Sequence, residues 1–135
     1  MCIRARLDPA DQRLSEQGWT LRLRRDGAQR ILTMKGPAEI SEAMHRREEI
    51  EMAFDRGKAD RPETWPKEIG KRVIQMTDGV RLIPLVEIQN NRSTWEVTRG
   101  SRIVAEIALD RGEIRADGAS APLHELEIEL KGKGS

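Results

Sequence analysis

The sequence has few of the residues that build disulfide frameworks and aromatic cores. Of its 135 residues, one is cysteine, one is phenylalanine, three are tryptophan and none is tyrosine. Cys2 alone cannot form an intrachain disulfide, and a single thiol outside any motif is typical of a reducing compartment. We therefore expect an aliphatic core and a cytoplasmic protein.

Long apolar runs are also lacking. The longest, at residues 82–88, is interrupted by Pro84 and Glu87, and the N-terminus carries Arg4 and Arg6 where a signal peptide needs an apolar segment. We therefore expect no membrane partner. The length suits one domain, which we place at residues 1–131, with a disordered tail at residues 132–135.

Charge, in contrast, is abundant and balanced. Lys and Arg number 24 and Asp and Glu 23, so the net charge is +1, which argues against a whole-domain nucleic-acid binder. Arginine outnumbers lysine by 18 to 6, and a guanidinium group binds phosphate or carboxylate through two parallel hydrogen bonds. The composition allows a local basic site for an anion and predicts no specific nucleic-acid partner.

In the first third of the chain, hydrophobic periodicity predicts a short helix and a hairpin. Asp8-Pro9 is typical of a helix start, with about two turns ending near Gly18. Alternating apolar residues predict strands at residues 19–25 and 29–35, joined by a tight turn at Asp26-Gly27.

The rest of the chain is predicted to hold one longer helix and four strands. Residues 43–54 fit a helix by propensity but alternate as a strand, and we favour a strand from about Arg46. An apolar stripe predicts a helix at residues 66–76. Gly112 is assigned to a turn. Three more strands are predicted at residues 85–97, 102–110 and 123–131.

Most of these strands have one apolar face and one charged face. At residues 123–131, three glutamates alternate with Leu126, Ile128 and Leu130. The simpler interpretation is the solvated outer face of an antiparallel sheet. The alternative is a barrel whose charged faces line the interior, with the aliphatic faces packed outward under helices.

The barrel interpretation has a chemical consequence. Early strands contribute Arg and Lys, and late strands contribute Asp and Glu, so such a tunnel would suit a polyanion bound together with a divalent metal. Carboxylate oxygens are the ligands that Mg²⁺ and Mn²⁺ prefer, and basic side chains bind the phosphate oxygens that the metal leaves free.

Six segments, in order along nearly the whole chain, carry a family resemblance. They are residues 7–25 (LDPADQRLSEQGWTLRLRR), 31–36 (ILTMKG), 47–51 (REEIE), 82–95 (LIPLVEIQNNRSTW), 107–114 (IALDRGEI) and 125–131 (ELEIELK). Together they resemble the CYTH domains, also called triphosphate tunnel metalloenzymes. This family includes bacterial inorganic triphosphatases, thiamine triphosphatases and class IV adenylyl cyclases.

The resemblance implies an α+β fold, an eight-stranded antiparallel β-barrel with flanking helices and a triphosphate-binding tunnel. The family opens with a strand of the pattern Glu-x-Glu-x-Lys, which is not found before Leu7, and the helical region after the last glutamate strand is not found either. We therefore expect a barrel incomplete by its first strand. An unpaired barrel edge would favour a homodimer.

The resemblance also assigns roles by position, although the simpler alternative for each residue is a surface charge. No catalytic base is assigned. The residues expected to bind substrate phosphate are Arg22, Arg24, Lys35, Arg47 and Arg92. Those expected to hold Mg²⁺ or Mn²⁺ are Asp110, Glu125, Glu127 and Glu129, with Glu49, Glu51 and Glu106 as supporting carboxylates.

The function that follows is metal-dependent hydrolysis of a triphosphate-containing substrate, with inorganic triphosphate as the first choice. The alternatives are a polyphosphate- or nucleotide-binding module without turnover, an inactive fragment, and an adenylyl cyclase. Phosphoryl transfer needs positioning and electrostatic stabilisation rather than a nucleophilic Ser or Cys, which agrees with a sequence that has no such motif.

Overall fold

The computed structural model of the protein describes residues 1–40, 45–55 and 57–132, with side chains outside residues 38–47. It consists of seven strands, two α-helices and one 3-10 turn at Pro62–Thr64. The helices are α1 at Arg13–Glu16 and α2 at Lys67–Thr77. The strands are β1 Cys2–Pro9, β2 Thr20–Asp26, β3 Gln29–Ile40, β4 His45–Ala53, β5 Leu82–Arg99, β6 Arg102–Ala116 and β7 Ala119–Leu130.

All seven strands form one antiparallel sheet in the order β4-β3-β2-β1-β5-β6-β7. The expected α+β fold with an antiparallel sheet and flanking helices is confirmed, but the sheet differs from the expected barrel in one respect. Within the described part of the chain, β4 and β7 are its two ends and do not pair with each other. The sheet is therefore open.

The core lies between β1–β4 and the helices. Aliphatic side chains alternate along the strands on the side that faces α2, and Leu21, Leu32 and Met34 are fully buried there. Ile69 and Val73 of α2 are also fully buried, in the same cluster. We call this side of the sheet the helix face and the opposite side the charged face, and we call β1–β4 with both helices the helix-backed region.

The first helix is shorter than predicted. It begins at Arg13 rather than directly after Asp8-Pro9, because those two residues end β1. Asp8 still acts at the helix start, since its buried carboxylate accepts hydrogen bonds from the backbone N–H groups of Leu14 (2.9 Å) and Ser15 (3.1 Å). The predicted helix at residues 66–76 and the first hairpin are confirmed.

The last three strands are longer than predicted. The expected loop at residues 110–122 is wrong, because β6 and β7 pair from Ala105↔Leu130 to Ala116↔Ala119 around a tight turn at Asp117-Gly118. Both turn residues have positive φ, 49° and 74°, as a two-residue hairpin of this hand requires.

Gly112 lies inside β6 rather than in a turn. A Cβ at this position would lie 1.8 Å from the carbonyl oxygen of Gln89, so only glycine permits the close approach of β5 to β6 here.

Beyond Asn90, β5 no longer pairs with β1, and β5, β6 and β7 continue as three strands alone. We call residues 91–111 and 123–130 the extension. On its helix face the side chains of Trp95, Leu126, Ile128 and Leu130 are all more than half exposed. No described residue covers this part of the sheet.

Candidate anion and metal site on the charged face

Four arginines meet on the charged face at the centre of the sheet. The register places Arg4 opposite Arg24 and Arg6 opposite Arg22, in two adjacent rows across β1 and β2. Directly opposed side chains on neighbouring strands are close enough to interact, and like charges at such positions are destabilising. We call Arg4, Arg6, Arg22 and Arg24 the arginine cluster.

Little in the described part of the chain neutralises the arginine cluster. Arg24 lies 3.7 Å from Asp26 in an exposed ion pair, and Arg6 donates a hydrogen bond to the hydroxyl of Ser15. Arg4 and Arg22 make no hydrogen bond or close ion pair to a described residue, but the charge of Arg4 helps to lower the pKa of Asp110. Arg4, Arg6 and Arg22 line a cleft of about 300 Å³, with Val86 and Ile88 beside them. Such a cluster is suited to binding an anion.

The other early-strand candidates lie beside this cluster. Lys35 of β3 is half-buried and pairs with Thr20 and with Glu49, and Glu51 is two residues farther along β4. Both glutamates are exposed on the charged face. The Arg47 backbone pairs with Ala38, but its side chain lies outside the described residues.

The late-strand candidates lie in three rows across the extension, on the same face. The first row is Arg92, Asp110 and Glu125. The second row is Thr94, Ala108 and Glu127, and the third is Glu96, Glu106 and Glu129.

One ion pair dominates the first row. Arg92 donates from Nε to Asp110 Oδ1 and from Nη2 to Asp110 Oδ2, both at 2.8 Å. The Asp110 side chain is 5% exposed and that of Arg92 50%. The hydrogen bonds from Arg92, and after them the neighbouring Asn90 side chain, lower the pKa of Asp110 to about 2. The same pairing raises the pKa of Arg92.

The carboxylates differ in how well they fit a divalent metal. Among the described side chains, those of residues 1–37, 48–55 and 57–132, no three from His, Cys, Asp or Glu are grouped closely enough to hold an ion. The glutamates of β7 fit by chemistry, because their oxygens are accessible: Glu127 is 58% exposed and Glu129 is 69% exposed. Asp110 fits less well, because each of its oxygens accepts a hydrogen bond from Arg92 and its side chain is 5% exposed.

Sequence reasoning missed four residues of this face: Arg4, Arg6, Asn90 and Glu96. The first two follow from the alternation of Cys2–Pro9, in which Arg4 and Arg6 face one way and Ala5 and Leu7 the other. In the sequence analysis, Arg4 and Arg6 serve only as evidence against a signal peptide. Asn90 and Glu96 share the alternation of Arg92 along β5, so the same period-2 count finds them.

Comparison with known proteins decides the family. The CYTH domain profile matches residues 7–135, which is nearly the whole chain. The chain belongs to the CYTH domain family. This confirms the family resemblance seen in the sequence, and it agrees with the antiparallel sheet that carries charged residues on one face.

The solved structure of the adenylyl cyclase candidate HpAC1 from Hippeastrum shares the fold of this CYTH domain, with a TM-score of 0.53 and 22% identity, and is described as having a dominant triphosphatase activity. An adenylate cyclase candidate from Bacillus halodurans is also similar, with a TM-score of 0.46 and 17% identity. Each match covers 98% of this chain and 65% of the other. No helix in the described part of this domain is long and apolar enough to cross a bilayer.

Proposed function

We propose that this CYTH domain binds triphosphate-containing compounds on its charged face and hydrolyses them with Mg²⁺ or Mn²⁺, with inorganic triphosphate as the first substrate to test. The observation that carries the proposal is the arginine cluster, two opposed pairs of like charges on a face that also holds the carboxylates of the extension. A bound polyanion would offset the repulsion among these arginines, because each of them would be attracted to the anion.

Phosphate binding is assigned to Arg22, Arg24, Lys35 and Arg92, with Arg4 and Arg6 added from the register of β1. Their guanidinium and ammonium groups would hold the equatorial oxygens, on which negative charge is spread during phosphoryl transfer. Arg47 keeps its predicted role as a further phosphate ligand.

Glu125, Glu127 and Glu129 would hold the divalent metal, with Glu49, Glu51 and Glu106 as supporting carboxylates. When bound, the ion supplies Lewis-acid polarisation of a phosphoryl oxygen and positions the attacking water. The protein groups supply charge and position, since phosphoryl transfer requires little covalent chemistry from the protein.

The experiment that tests the proposal measures phosphate release from inorganic triphosphate with Mg²⁺ or Mn²⁺. We expect release by the wild-type chain, and a loss of about tenfold or more in kcat/KM for Arg24→Ala, since a charge-assisted contact contributes about 1.5 to 3 kcal/mol. Arg25→Ala is the matched control, because Arg25 is the next residue of β2 and points to the other face. Release that is absent, or equal in both variants, would contradict the proposal.

The second candidate function is triphosphate or nucleotide binding without turnover. It is favoured by the lack of a closed set of three metal-binding side chains in the described residues. Calorimetric binding without phosphate release would support this candidate. Cyclic AMP formed from ATP in the same assay would instead support the adenylyl cyclase alternative. The homodimer through a sheet edge stays a prediction for β4 and β7.

A further inference from the structure

We propose that Asp110 is a positioning residue, which fixes Arg92 for phosphate binding, and that it does not act as a metal ligand. This inference rests on the proposed function, because it takes a triphosphate as the ligand of Arg92. It also changes the role that the family resemblance implies for Asp110.

Arg92 occupies both carboxylate oxygens of Asp110. Oδ1 accepts from Nε and Oδ2 accepts from Nη2, both at 2.8 Å, so one edge of the guanidinium matches both oxygens of the carboxylate. This bidentate arrangement is the strongest geometry available to the two groups. A metal ion would have to displace Arg92 to reach either oxygen along these directions.

The side chains of Asp110 and Arg92 differ in their exposure to solvent. The Asp110 side chain is 5% exposed, whereas that of Arg92 is 50% exposed. A guanidinium carries five N–H donors, and this pair uses two of them. The exposed edge, with Nη1, keeps donors for an incoming phosphate oxygen, while the covered edge is fixed by Asp110.

Asn90 lies beside Asp110 on the charged face, and its side chain helps to lower the pKa of the carboxyl. Asn90 is opposite Gly112, where the strands approach closely. Asp110 is therefore enclosed by neighbours on the sheet itself, with 5% of its side chain exposed, and it holds Arg92 at the border between the extension and the arginine cluster.

Fixing Arg92 in advance would increase affinity, because the cost of ordering a long flexible side chain is met before the ligand binds. Asp110→Asn keeps the shape of the side chain but removes its charge and one acceptor. We expect this variant to bind triphosphate about tenfold more weakly, with Mn²⁺ affinity unchanged within about twofold.

The test measures two affinities on the full chain. Isothermal titration calorimetry with inorganic triphosphate and a chelator reports phosphate binding without metal, and electron paramagnetic resonance reports Mn²⁺ binding without triphosphate. The variants are Asp110→Asn, Arg92→Lys and the double variant. Glu113→Gln is the control, because Glu113 accepts two hydrogen bonds from Arg115, both at 3.2 Å, outside the charged face.

We expect Asp110→Asn and Arg92→Lys each to weaken triphosphate binding, and the double variant to be no weaker than the worse single variant, because both changes remove the same arrangement. Glu113→Gln should bind as the wild-type chain does. If Asp110→Asn does not fold, as judged by circular dichroism, Arg92→Lys decides: we expect weaker triphosphate binding with unchanged Mn²⁺ affinity.

Three results would overturn the inference. A tenfold loss of Mn²⁺ affinity in Asp110→Asn would make Asp110 a metal ligand, and additive losses in the double variant would separate Asp110 from Arg92. Unchanged triphosphate affinity in the folded Asp110→Asn variant, or in Arg92→Lys, would contradict the positioning role. If the wild-type chain itself binds no triphosphate, the proposed function fails first and takes this inference with it.

Discussion

The helix-backed region and the extension are built from the same sheet but differ in what covers them. In the helix-backed region, the strand side chains on the helix face are buried under α2, and Leu21 and Leu32 are fully inaccessible. In the extension, Leu126 is 61% exposed and Leu130 is 84% exposed on the same face. The arginine cluster thus lies on strands backed by a packed core, whereas the glutamates of β7 do not.

The difference suggests how the two halves of the site are held. The backbone of the arginine cluster is anchored by the core behind β1 and β2, so the positions of the four arginines on the sheet are expected to be set before a ligand binds. The carboxylates of the extension are ordered by strand pairing and by ion pairs, which are Arg92–Asp110 at 2.8 Å, Lys131–Glu129 at 3.3 Å and Arg92–Glu127 at 4.0 Å.

Core substitutions should separate the two regions most clearly. Leu32→Ala removes a fully buried side chain and should lower the free energy of unfolding by about 3 kcal/mol. Leu130→Ala, in the extension, should change it by less than about 0.5 kcal/mol. Denaturant unfolding followed by circular dichroism gives both values, and similar losses would show that the extension is covered in solution.

A substitution at Gly112 should disturb the extension and leave the helix-backed region folded. In Gly112→Ala the new Cβ would meet the Gln89 carbonyl at 1.8 Å, so β5 and β6 must separate, at a cost of about 2 kcal/mol. Amide hydrogen exchange should rise in residues 86–116 and stay unchanged in β2 and β3. Gly118→Ala, at a turn with open space, is a comparison for backbone strain alone. Uniform exchange along the chain would contradict the expected local effect.

The strands and turns on which these two predictions depend differ in how well the sequence predicts them. Period-2 alternation located β2, β3 and β7, because apolar residues recur at every second position in each of them. It failed at β1, where Asp8-Pro9 indicates a helix start, and at the β6–β7 turn, because Gly112 is typical of a turn residue. A glycine required by close strand approach and a glycine in a turn look the same in a sequence.

The sequence names candidate site residues but does not give their arrangement. Family order identified Arg22, Arg24, Arg92 and the glutamates of β7, and the register places all of them on one face. The pairing of Arg92 with Asp110 joins residues 18 positions apart in sequence, and it depends on the register of two long strands. No local pattern reports such a contact, and the metal role expected for Asp110 came from the family resemblance by position.

Repulsion within the arginine cluster should have a smaller effect on the free energy of unfolding. Arg22→Gln removes one of two opposed arginines and should raise the free energy of unfolding of the ligand-free chain by about 0.5 kcal/mol, while weakening triphosphate binding. Thermal unfolding at low ionic strength, with and without triphosphate, measures both effects. Greater stability without ligand and a smaller ligand-induced rise in Tm are expected. A less stable ligand-free variant would contradict the repulsion.

The pH dependence of stability should report the Arg92–Asp110 pair. The pKa of Asp110 is lowered to about 2 from its ordinary value of 3.8. A lowered carboxyl pKa stabilises the folded state above the unfolded pKa, and this contribution is lost as pH falls from about 4 to about 2. Wild-type Tm should therefore fall more steeply over this interval than that of Asp110→Asn. Parallel curves would show that the pair does not form in solution.

One calorimetric titration series measures whether the charged face binds triphosphate through the arginine cluster. Inorganic triphosphate is titrated into the wild-type chain, Arg22→Ala on the charged face and Arg25→Ala on the opposite face. We predict binding by the wild-type and Arg25→Ala chains with the same affinity, and binding weakened about tenfold or more by Arg22→Ala. Equal affinities in all three chains, or no binding by any of them, would contradict the account.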